Sequence, residues 1–134
     1  MALLYDALYA LLTADATVSG IVGTRVHPVL RAQDGDLPAL VMTRVGGEHA
    51  VRHEGAASFA RTRVQIDSLA ATATAAQDLA DAVRQALDYA RGTYGGFRID
   101  RAQVAAPPID FFDGTSLTQR VTQDYSISHG EVTP

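Results

Sequence analysis

An α+β fold is predicted, a mostly antiparallel sheet of about four strands backed by two main helices in the order α-β-β-α-β-β. Three observations predict it. Leu4, Leu8, Leu11 and Leu12 recur at helical spacing near the start. A second apolar stripe of helical period runs through Ala76, Leu79, Ala80, Val83, Ala86, Leu87 and Ala90. Between and after these stripes the period falls to two: Thr62, Val64 and Ile66 alternate with Arg61, Arg63, Gln65 and Asp67, and Val121, Tyr125 and Ile127 mark a last strand.

The first helix is expected over roughly Ala2 to Thr13, with one face on the core. Asp15 is placed to cap a second short helical turn carrying Val18, Ile21 and Val22, and Gly23 suits the left-handed residue that ends it. Arg25-Val26-His27-Pro28-Val29-Leu30 reads as a short extended piece, because Pro28 has no N–H and disfavours helix at His27. Gln33-Asp34-Gly35-Asp36 makes a turn, and Ala39 to Val45 a strand with Pro38 tolerable only at its start.

Gly46 to Gly55 is bracketed by glycines, dense in ionisable side chains and poor in apolar ones, and is expected to be a mobile hairpin loop. Phe59 to Ser68 is the next strand. The second main helix follows, with Thr74 and Gln77 as a capping box and Gly92 as its stop; Asp78, Asp81, Arg84, Gln85, Asp88 and Arg91 lie on its wet face. Phe97 to Ala105 alternates weakly, Pro107-Pro108 interrupts, and Asp113-Gly114 supplies a turn before the strand Leu117 to Ser128. Residues 130–134 are expected to fray, and residues 1–134 to form a single domain.

Composition excludes several classes of function. With 47% hydrophobic residues and no apolar run of bilayer length, the chain is expected to be soluble and to have no membrane partner. The segment Met1 to Asp6 lacks the basic leader of a secretory signal. The absence of cysteine removes disulfides, thiolate metal sites and cysteine nucleophiles. Eleven basic residues against fifteen acidic ones give a net charge of −4, the wrong sign for a broad grip on phosphate backbones.

No constellation able to run a reaction emerges, so neither enzymatic activity nor a cofactor is expected. His49 and His53 have the spacing that aims two imidazoles at one metal on a helix, but the flanking glycines argue against a helix there. Asp110 and Asp113 flank Phe111-Phe112, which is read as turn chemistry beside core or interface anchors. Gly92-Thr93-Tyr94-Gly95-Gly96 follows a helix instead of preceding one, so it is a helix exit and not a phosphate cradle. Arg44, Arg61 and Arg63 fall on neighbouring predicted strands, where they could form a basic stripe facing phosphate or an acidic partner. With Glu48, His49, Arg52, His53 and Glu54 of the loop they are the candidate partner-contact residues.

The ordered set of segments carries a family resemblance over nearly the whole chain. The helix at Leu8 to Leu12, Ala16 to Gly23 followed by Arg25-Val26-His27-Pro28, the strand entry Leu37-Pro38-Ala39-Leu40-Val41, the strand Arg61 to Asp67, the helix Ala73 to Leu87, and Asp113 onward into Arg120-Val121 and Asp124-Tyr125 all contribute. Together they resemble the tail terminator, or tail completion, proteins of long-tailed bacteriophages and phage-like gene transfer agents. The resemblance implies a structural virion protein at the tail–neck junction, assembled in the host bacterial cytoplasm. It implies a homohexameric ring capping the tail tube protein and docking to a connector or stopper of the head neck, with DNA passing through unbound by sequence. It brings no catalytic residues. Another neck component, such as a head completion protein, and a small-molecule-binding α+β domain are the competing readings.

Overall fold

The computed structural model describes residues 3–28, 37–51, 58–88, 90–94, 97–114 and 118–131. The leucine spacing closes into α1 (Leu3–Ala14), whose Leu4, Ala7, Leu8, Leu11 and Leu12 are all buried. Asp15 then caps α2 (Ala16–Val22), its carboxylate accepting from the Thr17 and Val18 N–H groups at 3.0 Å each. Gly23 ends that helix at φ +60°, donating its N–H to the Ser19 carbonyl. A side chain there would strain the backbone, as the sequence anticipated.

The extended piece is β1 (Val26–Pro28), and Arg25 ties its start to the next strand by donating from Nε to the Pro38 carbonyl at 2.8 Å. β1 pairs in parallel with β2 (Ala39–Val51), so the sheet is mixed. The expected turn at residues 33–36 lies outside the described residues.

The largest correction concerns the expected loop. β2 does not stop at Val45: it continues through Gly46 and Gly47 to Val51, in antiparallel register with β3 (Ser58–Ala70). A β-bulge between Arg44 and Gly46 absorbs the irregularity that sequence reading takes for a strand end. Two glycines in a row weaken a strand locally, but the partner strand satisfies the backbone, so the arm persists.

α3 (Ala73–Leu87) buries Ala76, Leu79, Ala82, Val83 and Leu87, with Ala80 and Ala86 half-buried. Its cap is Thr72, whose hydroxyl accepts from the Ala75 N–H at 3.1 Å, and not Thr74. Gln77, expected to complete a capping box, instead donates to Asp81 at 3.1 Å. The helix ends at Leu87 with Asp88 as its cap, ahead of the expected stop. Gly92 opens the short β4 (Gly92–Tyr94) at φ +148°, so the glycine-rich stretch expected as a helix exit begins a strand.

β5 (Phe97–Val104), β6 (Ile109–Asp113) and β7 (Thr118–Glu131) complete the chain. All join one seven-stranded sheet of order β1-β2-β3-β7-β5-β4, with β6 also on β7. Seven strands replace the expected four or so because β1, β4 and β6 are too short to show a period. β7 pairs with β3 along one edge and successively with β6 and β5 along the other. The expected fraying begins too early: Gly130 and Glu131 pair with Arg98 and Phe97. Residues 132–134 lie outside the described residues.

Cross-strand register divides the sheet into two faces. Leu40, Met42, Val64, Ile66, Ile99, Ala102, Tyr125 and Ile127 face the helices and form the core with the apolar stripes of α1 and α3. Burial of each large aliphatic side chain stabilises the fold by roughly 1.5–3 kcal/mol before entropy is counted. Tyr125 is the largest of the fully buried side chains, 1% exposed; its hydroxyl has no hydrogen-bond partner among the described residues, and burial pushes its ionisation well above the ordinary tyrosine value.

Candidate partner interface

The residues singled out by charge do not form one cluster. Arg61 and Arg63 share the face turned away from the helices, two positions apart on β3. Arg44 stands opposite Val64, on the helix side, so the expected three-arginine stripe does not form. Arg44 pairs with Val64 and not with an arginine position of β3, so the pleat puts it on the opposite face, and that pairing cannot be read from neighbouring positions in sequence.

Arg63 is already engaged: Nη2 lies 3.0 Å from the Asp124 carboxylate on β7, with Nε at 3.2 Å. The pair is solvent-exposed and contributes at most about 1 kcal/mol, but it neutralises the charge. Arg61 is exposed on the same face. Arg98 pairs within its own strand with Asp100, Nε to Oδ1 at 2.6 Å. The face also carries Asp67, buried, accepting from the Thr122 hydroxyl at 2.8 Å and from Gln65 at 3.3 Å. Arg63, Arg98 and Asp67 are thus engaged on this face, while Arg61 is exposed.

In the candidate loop, the Glu48 and His49 backbones are strand residues in register with Arg61 and Ala60. Arg52, His53 and Glu54 lie outside the described residues. Of the remaining histidines, His129 stacks on Phe97 with ring centroids 4.9 Å apart and is hydrogen-bonded to the Thr62 hydroxyl at 2.7 Å. Among the described residues no three His, Asp or Glu side chains converge as a metal ion would require.

Charge pattern missed a different feature. The predicted turn around Asp110 is strand β6, and its phenylalanines are not core: Phe111 and Phe112 are half exposed and Ile109 is 65% exposed. Their only signal in the sequence is an apolar run beside Pro107-Pro108, which a core strand would also give. The Arg120 guanidinium covers the Phe111 ring from β7. Asp110 of β6 and Gln119, Arg120 and Val121 of β7 join Ala73 and Gln77 of α3 in lining a cleft of about 350 Å³.

At the other side of the molecule, the Tyr5 hydroxyl on α1 accepts from the Arg44 N–H at 2.8 Å. Tyr9, one helical turn along, and Val45, next to Arg44, are both exposed. No helix of the described residues is long and apolar enough to cross a membrane.

A two-layer α+β subunit whose outward features are strand edges, apolar patches and a sheet face with paired charges beside an exposed arginine is built for contact with other proteins. Comparison with known families makes the class specific. The chain belongs to the family of tail completion protein gp17, which matches residues 6–130, and is therefore a structural virion protein of the tail or neck. Its fold is similar to that of a chain in the virion of a native gene transfer agent particle, at 20% identity and a TM-score of 0.70, covering 95% of this chain and 94% of that one. No curated protein matches the sequence.

Proposed function

We propose that this chain is the tail terminator: six copies close into a ring on the tail tube, stop its growth and dock it to a connector or stopper of the head neck. The observation that carries the reading is the family match along residues 6–130, nearly the full length. The surface supports it. A ring requires the same two different patches on every copy, and a sheet with unlike edges supplies them. The net charge of −4 suits a wall past which DNA slides without being held. The protein catalyses no reaction and needs no cofactor, and it assembles in the cytoplasm of the host bacterium. Residues Glu48 to Glu54 contact an adjacent ring or subunit.

Particles lacking this chain test the reading by electron microscopy. The expected result is tails of irregular length and capsids without tails. Tails of ordinary length joined to filled capsids would overturn it, whereas tails of ordinary length left unjoined would favour a head completion role.

A further inference from the structure

Among the described residues the exposed large apolar side chains fall into two sets. Val104, Ile109, Phe111 and Phe112 are on β5 and β6, at one side of the sheet. Val45 and Tyr9 flank the Tyr5–Arg44 hydrogen bond, at the β2 side. A strand with apolar residues on both faces is normally covered on both. β6 has them on both: Ile109 and Phe111 stand opposite Thr122 and Arg120, and Phe112 on the other face stands opposite Gln119. Its outer edge pairs with no described strand.

The β2 side offers the complement. β1 covers β2 only from Leu40 to Met42, and beyond that no described strand pairs with the outer edge. The charges also complement each other: exposed Asp110 lies within the β6 run, and exposed Arg44, beside Val45, meets no acid among the described residues.

We infer that β6 of one subunit docks against the β2 edge of a second copy, over Val45 and Tyr9, with Asp110 toward Arg44. The inference rests on the ring reading and names the surface that closes the ring. A second copy is the occupant because the two patches lie on opposite sides of one sheet. Each copy's β6 covers the next copy's β2, the contact is head-to-tail, and a closed ring leaves neither edge bare. A foreign partner would cover one patch and leave the other open.

The absence of natural cysteine makes the test clean. Particles carrying V45C and F112C together are treated with a short bis-maleimide, then denatured and sized. The expected result is a ladder of this chain up to the ring, with no ladder from either single variant. A dimer from F112C alone would show a two-fold contact and overturn the inference. Rings of native mass that yield no ladder from the double variant would overturn it while leaving the ring reading intact; particles containing only single copies would overturn both. Charge reversal gives an independent arm: D110R and R44D each reduce particle yield at least tenfold, and the pair together restores it. Single reversals with unchanged yield would also sink the assignment. Melting temperatures matching the parent chain confirm that each variant folds.

Discussion

The Arg120 guanidinium lies over the Phe111 ring, 4.5 Å from its centroid, across the β6–β7 pairing. Phe111 is 50% exposed, and the Arg120 Nε makes no hydrogen bond among the described residues. A cation on a partly exposed ring contributes about 0.5–1 kcal/mol. Replacing Phe111 by Leu should cost about that much in urea denaturation, and in Arg120→Met the same replacement should cost nearly nothing. Additive losses in that double-mutant cycle would remove the coupling.

Tyr125→Phe should be neutral or stabilising by up to about 1 kcal/mol, because a buried hydroxyl without a partner is a cost and the ring fills the same space. The pH dependence follows with a definite sign. The folded state holds the phenol proton more tightly than the unfolded chain does, so Tyr125 leaves stability unaffected below the ordinary value of 10.0 and lowers it as pH rises above that. Unfolding measured in alkaline buffers should show that decline in the parent chain and less of it in Tyr125→Phe.

Helix capping separates two neighbouring threonines. Thr72→Ala should destabilise by about 1 kcal/mol, as should Asp15→Ala at the start of α2, because each strands backbone N–H groups that the side chain now satisfies. Thr74→Ala, exposed inside the first turn, should stay within about 0.5 kcal/mol of the parent. Thermal melts of the three variants decide it.

Gly92→Ala should cost about 1 kcal/mol or more, since φ of +148° disfavours a side chain and the added carbon would come within 3.4 Å of the Tyr94 hydroxyl. A larger loss, about 2–5 kcal/mol, is expected for Leu8→Ala, which opens a cavity under α1. Equal melting temperatures for Leu8→Ala and the parent would contradict the assignment of α1 to the core.

The amino-acid sequence by itself determined the elements whose residues repeat. α1, α2, α3, β3 and β7 are legible because burial on one face imposes a period of 3.6 or 2, and Asp15 and Gly23 are legible because each meets a local backbone demand. Order and composition also carried the family. What only the tertiary structure decided is where strands stop and what covers them. Gly46 and Gly47 read as a break, but pairing with β3 holds them extended; Phe111 and Phe112 read equally as core or interface, and the layers leave them half exposed. Both questions turn on long-range neighbours, since backbone pairing and solvent exclusion are properties of what lies across the sheet and not of the adjacent residues in the chain.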